Sequence, residues 1–322
     1  MNKNFWNTLK RPIFALAPMY EVTNTAFRQI IARCSGENKP GVFFTEFVSI
    51  DGLTHEKSKI KLIEYLLRFE KSERPIVAQV WGSNPKKFYE AAKIIKKLGF
   101  DGIDINMGCP DKAVIKMGAG SALILNPELA KKIVRETKRG SGGLPVSVKT
   151  RLGYDKKTFK DWIPHLLETE IAALTIHGRT KKEMSKVPAD WEAIGEISKM
   201  AKGNGILILG NGDVKNLNDG MEKIKKYKVD GIMVGRAVLH NPWFFNKNID
   251  PEKVSLEKRL ELIIEYAELF EKYFASNKNF QMVRKTIKAY IAGVPNTKDL
   301  RMRLMAAKSA EEIRNIAQGR YK

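Results

Sequence analysis

The sequence predicts an α/β fold, a (β/α)8 TIM barrel followed by a small C-terminal helical domain. Three observations predict it. Short apolar, β-branched runs recur at Ile13–Met19, Val42–Ile50, Ile76–Gly82, Gly102–Gly108, Pro145–Arg151, Ala173–Arg179, Gly205–Asn211 and Gly231–Ala237. They are nearly continuous rather than alternating, as expected of parallel strands buried on both faces. Helix-like segments separate them, and no strand signal remains after Asp250-Pro251. Eight strand–helix units within the first 240 residues match a closed barrel. A doubly wound open sheet is the alternative, but no G-x-G-x-x-G follows any of the runs.

The intervening helices carry start signals. Asn84 is a capping residue with Pro85 at the first helical position, and Asn126-Pro127 repeats the device. Pro188–Lys202 and Lys215–Tyr227 are amphipathic. Beyond the barrel, Leu256–Phe274 reads as one long amphipathic helix, and Gln281–Ile291 and Ala307–Ala317 as two more. Residues 1–250 are thus expected to form the barrel and residues 251–322 the helical domain.

A chain of 322 residues is long enough for this arrangement. Its 43% apolar and 29% charged residues are those of a soluble globular protein. No stretch approaches the 18 or so apolar residues of a membrane span. The N-terminus lacks the apolar core of a secretory signal, so a cytoplasmic protein is expected, and with no obligate protein partner evident, a monomer. Two cysteines, Cys34 and Cys109, make neither a disulfide framework nor a metal site on their own. The net charge of +21 favours polyanionic partners, nucleic acid first. Residues 276–322 hold 11 Lys/Arg against 3 Asp/Glu, so the excess is densest in the tail.

In such a barrel the active site lies at the C-terminal ends of the strands. Polar residues gather there. The first strand ends in Ala17-Pro18-Met19, and the third carries Gln79 and Trp81. The fourth ends in Asn106-Met107-Gly108-Cys109-Pro110, the fifth in Lys149-Thr150-Arg151 and the sixth in His177-Gly178-Arg179. The seventh ends in Asn211-Gly212-Asp213 and the eighth in Gly235-Arg236. A buried strand has little use for such residues unless they line a polar site. The last two ends offer backbone N–H groups and a guanidinium to a phosphate, with His177 beside them. Lys149, opposite Gln79, suits a planar heterocycle with carbonyls that becomes anionic on reduction. Flavin mononucleotide fits this description. Cys109, at the mouth, could serve as nucleophile, as acid or not at all. Cys34 reads as an inert core residue.

These motifs resemble those of the tRNA-dihydrouridine synthase family over nearly the whole chain. The most specific part is Asp104-Ile105-Asn106-Met107-Gly108-Cys109-Pro110 followed by the loop Gly118–Leu123. Ala17-Pro18-Met19, Lys149-Thr150-Arg151, Leu174–Thr180, Asn211-Gly212-Asp213 and Gly235-Arg236 complete it. The resemblance implies an FMN-dependent oxidoreductase that reduces the C5–C6 double bond of uridine in tRNA, with NADPH as electron donor. It implies that Cys109 protonates C5 and that Asn106 and Arg151 hold the uracil. Pro18, Met19, Tyr20, Gln79, Lys149, His177, Asn211, Gly212, Asp213, Gly235 and Arg236 are implied to hold FMN. The tail resembles the family's RNA-binding domain, with Lys285, Lys288, Arg301 and Arg303 as phosphate contacts.

One departure stands out. Many members carry a Tyr shortly after the H-G-R-T run, whereas Lys181–Val187 has no aromatic residue. Three other readings share part of the pattern: dihydrouridine formation in ribosomal RNA, an FMN reductase of a free small molecule of the dihydroorotate or dihydropyrimidine type, and a non-catalytic RNA-binding module. The basic tail has no role in the second, and Asn106, Cys109 and Lys149 argue against the third.

Overall fold

The computed structural model describes residues 4–274 and 280–319. Nine parallel strands form the barrel: β1 (Ile13–Leu16), β2 (Phe43–Phe44), β3 (Val48–Ser49), β4 (Ile76–Trp81), β5 (Gly102–Met107), β6 (Val146–Arg151), β7 (Ala173–His177), β8 (Leu207–Asn211) and β9 (Gly231–Val234). Their order is β1-β9-β8-β7-β6-β5-β4-β2, with β3 also on β4. A parallel bridge between Ala15 and Val42 joins the two ends and closes the barrel. Its lower interior is filled by Ile13, Ala15, Val42, Phe44, Val77, Leu207, Leu209 and Met233, with Trp6 buried beneath them.

The second stave departs from expectation. Val42–Ile50 is not one strand but β2 and β3, and Ile50 already opens the helix Ile50–Leu53. Thr45 accounts for the break. Its hydroxyl donates to the Glu46 carbonyl (2.8 Å) and accepts from the Gln79 N–H (3.1 Å). A side chain thus replaces a main-chain acceptor in the ladder. The strands expected to end at Arg151 and Asn211 do so, whereas the first and last end earlier at the mouth than the sequence predicts. Pro18, which has no N–H, lies beyond the end of β1, and Arg236 and Ala237 already belong to the helix Arg236–His240.

The expected capping holds. Asn84 accepts from the N–H groups of Lys86 and Lys87, and Asn126 from that of Leu129, each ahead of a proline that opens the helix. Past the turn Pro251–Lys253 the chain is helical: Leu256–Phe274, Val283–Tyr290, Lys298–Ala306 and Ala310–Ala317. The third of these was not expected. Of its residues only Leu304 is buried, so it shows no apolar stripe.

The tail shares its core with the barrel. Ile263, Tyr266 and Phe270 belong to the same apolar cluster as Phe27 and Ile30 of helix Thr25–Ser35. Polar contacts fix the seam: Asn24 Nδ2 donates to Tyr266 Oη (3.3 Å), Tyr273 Oη donates to Glu70 (3.2 Å), and Lys285 is ion-paired with Glu21. No described helix is long and apolar enough to cross a membrane.

Under this seam lies a fully buried ion pair. Arg28 Nε donates to Glu73, and its Nη groups donate to the carbonyls of Thr23 and Arg68, while Thr25 also donates to Glu73. Removing one partner strands the other charge in the core, which typically costs about 3–5 kcal/mol. Glu73→Leu is therefore expected to lower the midpoint of thermal unfolding by several degrees. An unchanged melting curve would mean that the pair is dispensable.

Candidate active site

Alternation along each strand sets which side chains point inward. The inward series on β4 is Val77, Gln79, that on β5 Asp104, Asn106, and that on β6 Ser147, Lys149, Arg151. The ladder pairs Gln79 with Asp104, Asp104 with Ser147, Asn106 with Lys149, Arg151 with His177, and His177 with Asn211. A cavity of about 450 Å³ opens above them, lined among others by Pro18, Met19, Pro110, Lys149, Arg151, His177, Asn211, Gly212, Asp213, Gly235 and Arg236. That volume is in the range of small-molecule sites.

One wall is cationic. Lys149 donates to Asn211 Oδ1 (3.1 Å), and Asn211 Nδ2 donates to the Met233 carbonyl (2.8 Å). Burial, and secondarily repulsion from Arg151, brings the Lys149 ammonium down to about 8. Arg179, almost wholly buried, ion-pairs with Asp213 and donates to the Val187 carbonyl (2.5 Å) and to His177 Nε2 (3.1 Å). Burial, reinforced by Lys149, Arg151, Arg179 and Arg236, pushes the His177 imidazole far below its ordinary value. It is therefore neutral, and because Nε2 accepts from Arg179 its proton sits on Nδ1, where it can donate. Burial opposes the charge of Asp213, but the Ala189 N–H and Arg179 and Arg236 outweigh it and hold this carboxyl low. Gly212, at φ +124°, cannot gain a side chain, since a Cβ would come within 2.7 Å of Ala189 Cβ.

The opposite side presents Cys109 on a pinned loop. Asn106 Oδ1 accepts from the N–H groups of Gly108 (3.1 Å) and Cys109 (2.9 Å). Arg151 Nε donates to the Gly108 carbonyl (2.7 Å), and its Nη1 to the carbonyls of Thr180 and Met184 (3.1 Å each). From above, Ser121 N–H donates to the Cys109 carbonyl (3.1 Å). Gly120, at φ +59°, makes this approach possible: a Cβ there would lie 2.9 Å from the Cys109 carbonyl oxygen. Burial raises the Cys109 thiol above its ordinary value, although Arg151 and Lys149 favour its thiolate. Cys109 is thus a protonated thiol, half-buried, beside two cations.

A barrel whose mouth joins a protonated cysteine to a cation-lined cavity, with a basic helical tail at its rim, matches the motif reading. A family model described as dihydrouridine synthase (Dus) matches residues 15–320. The chain belongs to this family. It is 43% identical over 320 residues to a probable tRNA-dihydrouridine synthase of Staphylococcus epidermidis, covering 98% of this chain and 96% of that one. It is 39% identical over 320 residues to a probable tRNA-dihydrouridine synthase 2 of Bacillus subtilis, covering 98% and 96%. The fold is also like that of a histamine dehydrogenase from a Rhizobium species, with a TM-score of 0.51 at 14% identity over 80% of this chain and 48% of that one.

Within this dihydrouridine synthase the expected site residues fall into groups. Pro18, Met19, Lys149, Arg151, His177, Asn211, Gly212, Asp213, Gly235 and Arg236 line one cavity. Gln79, Asn106 and Cys109 do not, although Pro110, next to Cys109, does. Gln79 is fully buried, donating to Asp104 (2.6 Å) and accepting from Asn106 (3.0 Å). Asn106 gives its carbonyl oxygen to the Cys109 loop, so what it offers a base is limited to its amide nitrogen. The Tyr20 ring is exposed at the rim and leans on Phe47, with centroids 5.5 Å apart. Lys285, Lys288 and Arg303 are exposed and Arg301 is half-buried, but Lys285 is already paired with Glu21. Met184, at φ +53° and exposed, lines the cavity from the stretch that lacks the Tyr. Sequence reasoning assigned no role to Arg179, which organises the cationic wall, or to Asp104. The signal was a charged residue inside, or at the end of, an otherwise apolar strand.

The two cysteines should differ in reactivity. Burial pushes Cys34 up to about 12 and leaves it in the core. Brief treatment of the native enzyme with iodoacetamide should label Cys109 and spare Cys34 by mass spectrometry. Because the Cys109 thiol is raised, its labelling should rise with pH at values above those of a free cysteine. Faster labelling of Cys34 would overturn this picture.

Proposed function

We propose that this dihydrouridine synthase reduces the C5–C6 double bond of uridine in tRNA, with FMN in the barrel mouth and NADPH as the source of electrons. The observation that carries the reading is a protonated Cys109 on a pinned loop whose next residue, Pro110, lines a cationic cavity. The residues present suit FMN. Met19 and Ala237 offer apolar surface, and Lys149, Arg151, His177 and Asn211 a polar one. The backbone N–H groups of Gly212, Asp213 and Gly235 and the Arg236 guanidinium would take the phosphate, with His177 Nδ1 as a further donor. Lys149 would stand against the ring carbonyls. FMN, when bound, supplies hydride to C6 of the base.

The remaining chemistry belongs to the chain. Hydride at C6 of a conjugated amide leaves negative charge spread over C5 and O4, and a proton must reach C5. Cys109 Sγ–H gives that proton, because burial keeps it protonated until the charge develops. The thiolate left behind is favoured by Arg151 and Lys149 and is reprotonated from solvent. Arg151 Nη2 has no protein partner among the described residues and is available to a base carbonyl. A uridine stacked in folded RNA cannot reach this mouth, so it must be extruded, with the unstacking cost offset by contacts in the site. The basic tail beside the rim supplies phosphate contacts that hold the RNA for this.

Purified enzyme should be yellow and release FMN on denaturation. Cys109→Ala should keep the rate of flavin reduction by NADPH but slow the oxidation of reduced enzyme by tRNA, by about 10²–10⁴-fold for a missing general acid. An unchanged tRNA half-reaction would sink the proton-donor role.

The tail assignment has its own test. Lys288→Glu, Arg301→Glu and Arg303→Glu together should weaken tRNA binding and leave NADPH-driven flavin reduction intact. The log–log dependence of affinity on salt should flatten by roughly 0.7–0.9 for each phosphate that is no longer met. Unchanged affinity and slope would remove the tail from the RNA interface.

A further inference from the structure

Asp104 is a buried carboxylate that the proposed chemistry does not use. It lies on β5 one inward position below Asn106, fully enclosed. Its Oδ2 accepts from Gln79 Nε2 and its Oδ1 from Ser147 Oγ, both at 2.6 Å. Gln79 Oε1 in turn accepts from Asn106 Nδ2 (3.0 Å), and Asn106 Oδ1 accepts from the Gly108 and Cys109 N–H groups. Four groups on β4, β5 and the Cys109 loop therefore form one continuous chain.

This chain has only one possible direction. The backbone N–H groups of Gly108 and Cys109 are fixed donors, so Asn106 must turn its oxygen to them and its NH2 to Gln79. Gln79 must then meet Asn106 with its oxygen, which turns its own NH2 toward Asp104. The far end of the chain needs a group that accepts. An ionised carboxylate accepts at both oxygens. Burial pushes the Asp104 carboxyl up to about 6, while the Ser147 and Gln79 hydrogen bonds and Lys149 favour its ionised form. An apolar residue at the same position would leave the Gln79 NH2 buried without a partner. That unpaired end would loosen the Gln79 and Asn106 amides and, through them, the Cys109 loop.

We propose that Asp104 is a positioning residue, the accepting terminus of a one-way hydrogen-bond chain through Gln79 and Asn106 that holds the Cys109 backbone where its thiol can reach the base. The inference rests on Cys109 being the proton donor. Asp104 touches neither base nor cofactor. It acts through two amides whose facing the Gly108 and Cys109 N–H groups set, and it supplies the acceptor that this direction requires at the far end.

The test compares Asp104→Leu, which keeps the branched shape, adds bulk and removes the acceptor, with Asp104→Asn, which keeps one acceptor oxygen for Gln79. In reduced holoenzyme mixed rapidly with tRNA, Asp104→Leu should slow the limiting rate at saturating tRNA by about tenfold or more. The half-saturating tRNA concentration should stay within about threefold, because the loss falls on chemistry and not on binding. Asp104→Asn should restore most of the rate. Hydrogen exchange should show the Gly108 and Cys109 amides losing protection in Asp104→Leu and keeping it in Asp104→Asn. Should Asp104→Leu not accumulate as folded protein, Gln79→Met cuts the chain at its next link and should show the same loss of amide protection. A limiting rate unchanged in Asp104→Leu, or Asp104→Asn as slow as Asp104→Leu, overturns the proposal. Slowing by Cys109→Ala without slowing by Asp104→Leu defeats this inference alone. No slowing by Cys109→Ala defeats the reading on which it rests.

Discussion

A closed parallel barrel gives each strand one set of inward positions, every second residue, and sets each against its neighbours in fixed register. The rest of this molecule depends on that constraint. Because Ala15 bridges Val42 and the sheet closes, Gln79, Asp104 and Ser147 fall into one row and Arg151, His177 and Asn211 into a higher one. Lys149 and Asn211, on alternate strands, share a layer and bond directly. Shifting any of these strands by one residue would turn its polar members outward among the helices, where burial without partners would cost several kcal/mol each. The apolar lower interior under Trp6 fixes the register, and the polar upper layers take their geometry from it.

That same parity made the site legible. Eight apolar runs announced the barrel, and a Lys, His or Arg at the end of such a run has no cheaper explanation than a polar mouth. Where the sequence misled, a side chain had taken over a backbone role. Thr45 split the second stave by offering its hydroxyl to the Gln79 N–H. Helix Lys298–Ala306 was invisible because it buries little on any face. Gln79 and Asn106 look like ligand-binding amides in sequence. Only the hydrogen bonds show that much of their capacity is spent inward, and which atom faces where follows from fixed backbone donors that no residue pattern reports. Arg179 went unassigned for a related reason, since its partners Val187, Asp213 and His177 come from three different segments.

The electrostatics of the mouth follow from the crowding of three cations that line one cavity, Lys149, Arg151 and Arg236, with Asp213 as the carboxylate on its wall and the buried Arg179 paired to it from behind. Burial first, and the neighbouring cations second, lower the Lys149 ammonium and keep the His177 imidazole neutral. Such a wall is poised for an anion. A phosphate or an anionic ring entering it would relieve the mutual repulsion and return Lys149 toward its ordinary value, so the strain of that crowding becomes binding energy. Cys109 stands across from this wall under the opposite balance. Burial dominates there, and the cations are close enough to stabilise a thiolate without forming one in advance.

The tail gains its meaning from how it is attached. A basic module on a loose linker would capture RNA at no particular angle to the barrel. Here Ile263, Tyr266 and Phe270 are packed into the barrel's own apolar cluster, and Asn24, Glu21 and Glu70 receive or give polar contacts across the seam. Glu21 follows the Met19–Tyr20 rim of the cavity directly and holds a positive φ of 57°, so the tail grips the barrel within a few residues of the site. Lys285 therefore has a structural use that competes with any phosphate contact, since its ion pair helps set the angle between tail and mouth. On the proposed reading, the charges that remain turned to solvent hold the RNA, while the buried seam fixes where an extruded base meets Cys109. Recognition and chemistry are then coupled by packing, with no moving part required between them.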